Sequence, residues 1–319
     1  MKIQKTLCIL FCLMSALLCA QTAPVRVEFP EIWAYLMNGD EQFLDASFPI
    51  TDLGYFGAGI NTYGKLSGVP DIGKIAFFTG KKHLVIAEGG NLALTHFCID
   101  PQYPVREALL QAILAASVPY DGIQIDFEAV PAADRENFIS FLSRLKLLMG
   151  RKILSVALPA RTRTIDEPYD YLRIGRIADR IIIMAYDEHW SGGSPGSIAS
   201  LAWCEKVVLY AVSKIGTDKL VMGVPFYGRA WSDTNPAKAY KHSSISQLVA
   251  DKKIATLNRE NEIPFFQYQE TVNVQVYFED VFSILSRLKI YKNATVRNIS
   301  FWKLGQEDFE IWNNLVIQK

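Results

Sequence analysis

Two carboxyl side chains stand two positions apart in the stretch DGIQIDFEAV, residues 121–130: Asp126 and Glu128, with Gln124 two positions earlier. Successive side chains of a β-strand point to opposite faces, so these three share one face and the two acids have α-carbons about 7 Å apart. Like charges that close raise the pKa of one acid, which then keeps its proton near neutral pH. A protonated carboxyl is the group that a glycosidic oxygen needs as it leaves.

The same alternation has a plainer explanation, an antiparallel strand whose polar face meets water. Taken alone, alternation favours that explanation. In a parallel barrel, by contrast, the apolar face of the strand packs under helices and the polar face projects inward, with Glu128 at the carboxyl end where such barrels keep their chemistry. Burying polar groups there costs free energy unless they are hydrogen-bonded, and function would be the compensation. The surrounding chain decides between the two.

Short apolar or β-branched runs recur along the chain, separated by helical or loop segments. The eight runs are EIWAYL (31–36), LGYFGAGI (53–60), HLVIAEG (83–89), GIQIDFE (122–128), ILSVALP (153–159), RIIIMAY (180–186), LVMGVPF (220–226) and NISFWKL (298–304). Segments with helical periodicity lie between several of them, at 105–118, 134–148, 198–215 and 278–291. Near-continuously apolar strands that alternate with helices indicate parallel pairing.

Eight such units predict an α/β fold, a closed (β/α)8 TIM barrel. A doubly wound open sheet is the alternative, although no GxGxxG follows the first strand. The regular spacing breaks at residues 232–276, which are polar and weakly periodic. This predicts a small insertion after strand seven, within a barrel domain that spans residues 21–319.

The first 20 residues, MKIQKTLCILFCLMSALLCA, combine lysines, an apolar run and small residues near Ala20. This pattern predicts a signal peptide, residues 1–20, and a secreted or periplasmic protein of the cell envelope. An uncleaved anchor is the alternative, but the run is shorter than the roughly 20 residues of a spanning helix, so stable membrane insertion is not expected. A lipoprotein site at Cys19 is disfavoured because Leu18 precedes it.

Composition excludes several other classes of protein. Of 319 residues half are hydrophobic and the formal net charge is zero, so the basic surface of a nucleic-acid binder is missing. Signal cleavage would leave Cys98 and Cys204, which read as buried thiols, with one disulfide between them still open. The histidines lack metal-binding spacing, so neither a metal nor a cofactor is expected. A direct role for His189, after the sixth strand, is less favoured than a loop position.

Four motifs taken together resemble those of the family 18 glycoside hydrolases, the chitinases and their relatives. The family's fourth-strand pattern D-x-x-D-x-D-x-E corresponds to Asp121, Gln124, Asp126 and Glu128, and the later strand motifs to MAYD (184–187), VPFYGR (224–229) and ISFWKLGQED (299–308). The chain is most similar to the bacterial branch that includes peptidoglycan-cleaving N-acetylglucosaminidases of the spore cortex. The resemblance also implies a (β/α)8 barrel.

The resemblance implies substrate-assisted, retaining hydrolysis, in which the acetamido oxygen of the substrate attacks the anomeric carbon and forms an oxazolinium. Glu128 would be the acid and then the base, while Asp126 and Tyr186 would orient the acetamido group. The substrate-binding residues that it implies are Asp121, Gln124, Asp187, Tyr227, Arg229 and Trp302, the last as a platform under the sugar. An aromatic floor suits a sugar ring on physical grounds too.

Packing alternatives stay open for the aromatic residues, since Trp302 could be a core tryptophan and Tyr186, Tyr227 and Trp231 could serve the core equally well. Gln124 departs from the family pattern, which usually has an acid there. An amide cannot take up a proton, and we expect a shifted pH profile without loss of activity.

The function expected is a secreted, monomeric hydrolase acting on a glycan that contains N-acetylglucosamine, either chitin or peptidoglycan. The alternative from another class is a chitinase-like carbohydrate-binding protein that has lost catalysis. In such relatives the acid at position 128 is commonly replaced, and here it is present. A third possibility, a structural scaffold of the envelope, has no feature in its favour.

Overall fold

The strands of the chain form a closed barrel and an appended sheet. The computed structural model describes residues 24–233, 236–269 and 272–318. Its strands are β1 (Val27–Phe29), β2 (Glu31–Met37), β3 (Asp52–Ile60), β4 (Leu66–Ser67), β5 (Lys81–Glu88), β6 (Gly122–Phe127), β7 (Ile153–Pro159), β8 (Arg180–Met184), β9 (Leu220–Pro225), β10 (Tyr227–Ser232), β11 (Lys238–Lys241), β12 (Asn258–Glu260), β13 (Ile263–Gln269), β14 (Asn273–Tyr277), β15 (Asn298–Trp302) and β16 (Leu315–Ile317).

Eight parallel strands make the barrel, in the order β2-β15-β9-β8-β7-β6-β5-β3, and the pairing of β2 with β3 closes it. Each of the eight apolar runs of the sequence lies on one of these strands. The predicted (β/α)8 barrel is therefore confirmed and the open sheet is excluded. Closure brings the carboxyl ends of all eight strands to one mouth.

Helices pack against the barrel and the appended sheet. They are α1 (Leu92–Ile99), α2 (Pro104–Ala116), α3 (Arg135–Leu148), α4 (Tyr171–Ile177), α5 (Leu201–Ile215), α6 (His242–Asp251) and α7 (Val281–Asn293). Short 3-10 turns occupy Glu41–Phe43, Ile72–Ile75, Ala132–Asp134 and Phe309–Asn314. Within the described residues, none of the helices combines the length and the apolar character needed to cross a membrane.

Local capping chemistry decides where α7 begins. The Asp280 carboxylate accepts a hydrogen bond from Ser283 N at 2.9 Å, and Ser283 Oγ accepts one from Asp280 N at 2.9 Å. This reciprocal capping box satisfies amides that the first turn leaves free. The helix therefore starts at Val281, three residues later than the segment 278–291 predicted from periodicity alone.

The two faces of β6 meet different surroundings. Ile123, Ile125 and Phe127 are buried in the main core between strands and helices. Inside the barrel, two small apolar clusters fill the space below the mouth. These are Trp33 with Ile182 and Val221, and, closer to the carboxyl ends, Tyr35 with Phe56 and Val85. The barrel is thus closed below, and polar side chains on the inner face of β6 reach solvent only at the mouth.

The segment between β9 and α7 forms an antiparallel sheet of its own, in the order β11-β10-β14-β13-β12. Its first strand, β10, begins two residues after β9 ends, and α6 packs beside it. Because the connection is so short, the sheet stands directly beside the barrel mouth. The insertion predicted at residues 232–276 falls within this sheet, which takes in Tyr227 to Tyr277.

Two predictions about covalent and targeting features have different outcomes. Cys98 and Cys204 are both buried and both free, so the disulfide that the sequence left open is not formed. The predicted signal peptide, residues 1–20, lies outside the described residues.

Candidate active site

A cleft of about 260 Å³ opens at the carboxyl ends of the barrel strands. It brings together eight of the residues that the sequence singled out: Gln124, Asp126, Glu128, Tyr186, Asp187, Tyr227, Arg229 and Trp302. They lie on or just after β6, β8, β10 and β15, which are far apart in the chain and which the closed barrel brings to one mouth. The cleft is therefore a product of barrel closure.

Asp126 is the most buried acid of the cleft, with 5 % of its surface exposed. Its Oδ1 is buried and has no hydrogen-bond partner among the described residues. Burial, together with the charge of Glu128, raises the pKa of the Asp126 carboxyl to about 7. This side chain is therefore divided between its neutral and charged forms near neutral pH.

Glu128 lies just beyond the end of β6 and is accessible from the cleft. The carboxyl is nevertheless partly desolvated, and this desolvation, followed by the charge of Asp187, raises its pKa. A raised pKa favours the protonated form that a general acid must have before it donates. The sequence predicted such a shift from the acid pair alone, whereas the structure assigns part of it to Asp187, in the loop after β8, two strands away around the barrel.

Gln124 is held as a hydrogen-bond acceptor at the base of the cleft. Tyr35 Oη donates to Gln124 Oε1 at 2.9 Å, and Ser155 Oγ approaches the same oxygen at 3.4 Å. The ring of Tyr35 fits because Gly54 lacks a side chain, since a Cβ there would lie 2.4 Å from Tyr35 Cδ1. The amide oxygen is thus engaged by two hydroxyl groups, and the effect of Gln124 on the pH profile stays a prediction.

Asp187, Tyr227 and Arg229 form one hydrogen-bonded group on the wall of the cleft. Asp187 Oδ1 accepts hydrogen bonds from Tyr227 Oη at 2.5 Å and from Arg229 Nη2 at 2.8 Å. Asp187 has a positive φ of 60°, a backbone conformation that short polar residues tolerate better than bulky ones. Non-glycine residues in this region cluster at functional sites.

Tyr186 and Trp302 supply the aromatic surfaces of the cleft. Burial raises the pKa of the Tyr186 hydroxyl well above its ordinary value, so the group remains a hydrogen-bond donor. A Cβ on Gly223 would lie 3.0 Å from the Tyr186 ring, so the ring fits here because residue 223 has no side chain. Trp302 is half-buried, with its ring centroid 4.9 Å from that of Phe56, so one face packs while the other borders the cleft. The Trp302–Lys303 peptide bond is cis.

A tyrosine outside the predicted set holds the backbone on both sides of Glu128. Tyr169 Oη donates to Phe127 O at 3.0 Å and accepts from Val130 N at 3.2 Å. Its ring packs edge-on against Phe138 of α3. One hydroxyl therefore fixes the turn that presents Glu128 to the cleft.

Asp121 does not belong to the cleft, so its predicted place in the substrate site is wrong. It precedes β6 at the amino end of the barrel, where its Oδ2 accepts a hydrogen bond from Lys82 N at 2.8 Å. The strand that separates it from Glu128 is six residues long, which puts the two carboxyls at opposite ends of the barrel. Asp121 instead ties the start of β6 to β5.

The histidines stand apart from the cleft lining. His189 Nδ1 contacts Ser197 O at 2.9 Å, which makes it a structural loop residue, the reading the sequence favoured. His96, Asp100 and Asp134 bring potential ligand atoms within 4.8 Å of one another. His96 Nδ1 lies 2.8 Å from Asp134 Oδ2, so the group joins α1 to the turn before α3 by its own hydrogen bonds.

Several lining residues escaped the sequence reasoning: Tyr35, Phe56, Met184 and Gln306. Alternation within EIWAYLM would have pointed to Tyr35, since it shares the inner face of β2 with Trp33. Tyr169 carried no such signal because it lies in a loop 41 positions after Glu128 and acts through backbone atoms.

Comparison with known proteins identifies the family of the chain. The family model described as Glycosyl hydrolases family 18 matches residues 108–307. A cortical fragment-lytic enzyme of Bacillus anthracis is 30% identical over 293 residues, which cover 84% of this chain and 67% of that protein. The spore cortex-lytic enzyme SleL of Bacillus cereus has a similar structure, with a TM-score of 0.82 and 27% identity over 92% of this chain and 76% of that one.

Similarity to other relatives is partial in length. The chain spans 61%, 48% and 52% of three Bacillus subtilis proteins, namely the uncharacterized glycosylase YvbX, a putative sporulation-specific glycosylase YdhD and a cortical fragment-lytic enzyme. A chitinase from Chromobacterium violaceum shares the fold, with a TM-score of 0.78 at 22% identity. The chain belongs to family 18 of the glycosyl hydrolases and is related to cortex-lytic enzymes and chitinases.

Proposed function

We propose that this family 18 glycosyl hydrolase cleaves the β-1,4 bond after N-acetylglucosamine in peptidoglycan or chitin-type glycans, with retention of configuration and with help from the acetamido group of the substrate. The observation that carries the proposal is the meeting of Asp126, Glu128, Tyr186 and Trp302 in one cleft. We also propose that the enzyme works outside the cytoplasm, as the N-terminal sequence predicts.

In the proposed mechanism each group has its own task. Glu128, accessible and with a raised pKa, donates its proton to the leaving glycosidic oxygen and later accepts one from water. The acetamido oxygen attacks the anomeric carbon, so a positive charge develops on the ring that forms. Asp126, below Glu128 on the same strand face, is placed to face that charge, and its raised pKa falls when a cation forms beside it.

The remaining cleft residues bind and orient the sugar. The Tyr186 hydroxyl, which keeps its proton, can donate a hydrogen bond to the acetamido group. Trp302 offers a flat apolar surface to the C–H face of the ring. Asp187 and Arg229 present charged hydrogen-bonding groups at the cleft wall. Both candidate substrates carry the acetamido group, and the names of two relatives refer to lysis of cortical fragments and of spore cortex.

The test replaces Glu128 with Gln and measures the release of reducing sugar from purified peptidoglycan and from chitin, side by side. We expect turnover to fall by about 1,000-fold or more with the fold intact, because the amide cannot donate the proton. Glu107→Gln is the matched control, since Glu107 lies exposed on α2, outside the barrel, and should leave turnover unchanged. Mass analysis of the fragments identifies the glycan and the bond.

Two results would count against the proposal. Full turnover in the Glu128→Gln variant would remove Glu128 from the mechanism. A wild-type protein that retards glycan migration but releases no reducing sugar from either polymer would instead be the carbohydrate-binding alternative.

A further inference from the structure

Three potential metal ligands meet outside the catalytic cleft. His96 lies in the last turn of α1, Asp100 directly follows that helix, and Asp134 directly precedes α3. Ligand atoms of the three side chains lie within 4.8 Å of one another. Because α1 follows β5 and α3 follows the neighbouring β6, the group joins two adjacent units of the barrel.

Helical spacing brings His96 and Asp100 together. Residues four positions apart lie on the same face of a helix. The backbone N–H of Asp100 donates to His96 O at 2.9 Å, so the last turn of α1 holds the pair in this arrangement. Spacing between histidines alone, the pattern on which no metal was expected, does not reveal a site built from one histidine and two aspartates.

Asp134 has the position of a helix cap without the hydrogen bond of one. An aspartate at the N-cap ordinarily accepts a hydrogen bond from an amide of the first turn. At the start of α3 no such bond forms, and the carboxylate faces His96 instead, with Oδ2 at 2.8 Å from Nδ1. Asn137 Nδ2 donates to Asp134 Oδ1 at 2.7 Å and holds the carboxylate in that orientation.

Asp100 directs an oxygen without a hydrogen bond toward the same imidazole. The residue is only 6 % exposed. Its Oδ1 accepts from Gln102 N at 2.8 Å, whereas Oδ2 lies 3.8 Å from His96 Nε2, too far for a hydrogen bond, and has no other partner among the described residues. Arg106, which senses the charge of Asp100, donates to Ser140 Oγ at 2.8 Å and forms no ion pair with Asp100. A carboxylate oxygen in a buried residue is costly to leave without a partner, and a cation would supply one.

The donor set selects the metal. One imidazole nitrogen and two carboxylate oxygens suit Zn²⁺, which binds both kinds of atom at about 2.0–2.2 Å. Ca²⁺ and Mg²⁺ prefer a full shell of oxygen ligands, so a site with an imidazole and only two carboxylates suits them poorly. Coordination of Zn²⁺ requires the three ligand atoms to approach one another by about 1 Å. The side chain of His96 is 35 % exposed, which gives the ring room to turn and the ion a path from solvent.

We propose that His96, Asp100 and Asp134 bind one Zn²⁺ ion, with water completing its coordination. Each carboxylate already has its other oxygen held by a protein amide, from Gln102 and Asn137, and such outer hydrogen bonds are usual for carboxylates that bind metals. The ion replaces the hydrogen bond between His96 and Asp134 and ties α1 to α3. The inference is independent of the proposed function, since none of the three ligands lines the catalytic cleft.

The experiment is a calorimetric titration of the purified full-length protein with ZnCl2, after removal of metals with EDTA and of the EDTA itself. We expect one ion per chain and a higher melting temperature with Zn²⁺, because an ion that binds only the folded state stabilises it. MgCl2 should have no such effect. His96→Gln and Asp100→Asn should each weaken Zn²⁺ binding by at least about ten-fold, since loss of even an outer partner of a ligand does so.

His242→Gln is the matched control, because His242 also lies near an aspartate, Asp308 at 3.9 Å, but in the described part of the chain belongs to no group of three ligands. This variant should bind Zn²⁺ as wild type does. Asn137→Ala leaves all three ligands in place and should weaken binding by about ten-fold, which keeps the test decisive if a ligand variant does not fold.

Two results would overturn the zinc site. One is a wild-type protein that binds no Zn²⁺ and has the same melting temperature with and without it. The other is Zn²⁺ binding that survives unchanged in His96→Gln and Asp100→Asn, or is lost in His242→Gln, since the ion would then bind elsewhere. Neither result bears on the proposed hydrolase, which is tested separately by the release of reducing sugar.

Discussion

Asp52 and Asp126 are both buried acids of the same barrel, at its two ends. Asp52 begins β3 at the amino end with no exposed surface, and Asp126 lies near the mouth with 5 % exposed. Each has one carboxylate oxygen without a hydrogen-bond partner among the described residues. Burial disfavours the charged form in both. At Asp52, hydrogen bonding to His83 at 2.9 Å and the charges of His83 and Lys81 outweigh burial, and the pKa is lowered.

At Asp126 the neighbouring charge has the opposite sign. Burial and Glu128 act in the same direction and raise its pKa to about 7. Depth alone therefore does not set the protonation state of a barrel acid; hydrogen bonds and the sign of the adjacent charge decide whether the effect of burial prevails. The amino end keeps a carboxylate that is hydrogen-bonded to His83 and serves structure, whereas the mouth keeps an acid with a raised pKa beside Glu128.

The largest expected effect is on the pH dependence of stability. The pKa of Asp126 is raised from about 3.9 to about 7. The protonated side chain therefore contributes fully to the free energy of unfolding below pH 4, and this contribution, up to about 4 kcal/mol, is lost as pH rises through 7. Asp126→Asn should remove this decline between pH 4 and pH 8. Chemical denaturation of both proteins at the two pH values measures it.

The Asp52→Asn variant should behave in the opposite sense. Because the pKa of Asp52 is lowered, the ionised side chain contributes to the free energy of unfolding above about pH 4, and this contribution is lost as pH falls through the folded-state pKa. The variant should therefore be destabilised at pH 8 and should approach the wild-type free energy of unfolding in acid. If the free energies of unfolding of the two variants changed with pH in the same direction relative to wild type, the contrast between Asp126 and Asp52 would be wrong.

A second prediction concerns turnover. Asp126→Asn should lower kcat by about 100-fold with little change in KM, since an amide cannot supply the negative charge that the oxazolinium requires. Asp52→Asn, at the other end of the barrel, should stay within about two-fold of wild type in kcat. Equal losses in the two variants, measured on the same glycan, would mean that the mouth has no special chemical role.

The smallest effect expected is at Tyr169. Tyr169→Phe removes the hydroxyl that joins Phe127 O to Val130 N, so kcat should fall about ten-fold while KM stays within about two-fold. The alkaline limb of the pH profile of kcat, where Glu128 loses the proton it must donate, should shift in the same variant. Tyr171→Phe is the matched control, because its hydroxyl donates to Pro159 O at 2.5 Å on the next strand and should leave kcat unchanged. A loss of stability with unchanged kcat would give Tyr169 a structural role only.

The sequence predicted those features that depend on local pattern. Apolar runs of strand length marked all eight barrel strands, and alternation in GIQIDFE marked the face of β6 that carries Gln124 and Asp126. The start of α7 was misplaced because periodicity does not show where a cap ends the preceding loop. Asp121 was misassigned because the motif spans the whole strand, so its first acid lies at the amino end of the barrel while Glu128 lies at the mouth.

Features that depend on distant neighbours could not be predicted. The charge of Asp187, which helps raise the pKa of Glu128, comes from a strand two positions away around the barrel. Tyr169 acts through backbone atoms that no motif records.

The measurement that tests the central claim most directly is a carboxyl ¹³C NMR titration of the aspartates in the folded wild-type protein, with Asp126→Asn and Asp52→Asn spectra for assignment. We expect the Asp126 signal to titrate near pH 7 and the Asp52 signal to remain that of a carboxylate down to about pH 4. An Asp126 carboxyl that titrates at its ordinary pKa, together with Asp52, would contradict the claim that the mouth of the barrel holds a proton at neutral pH.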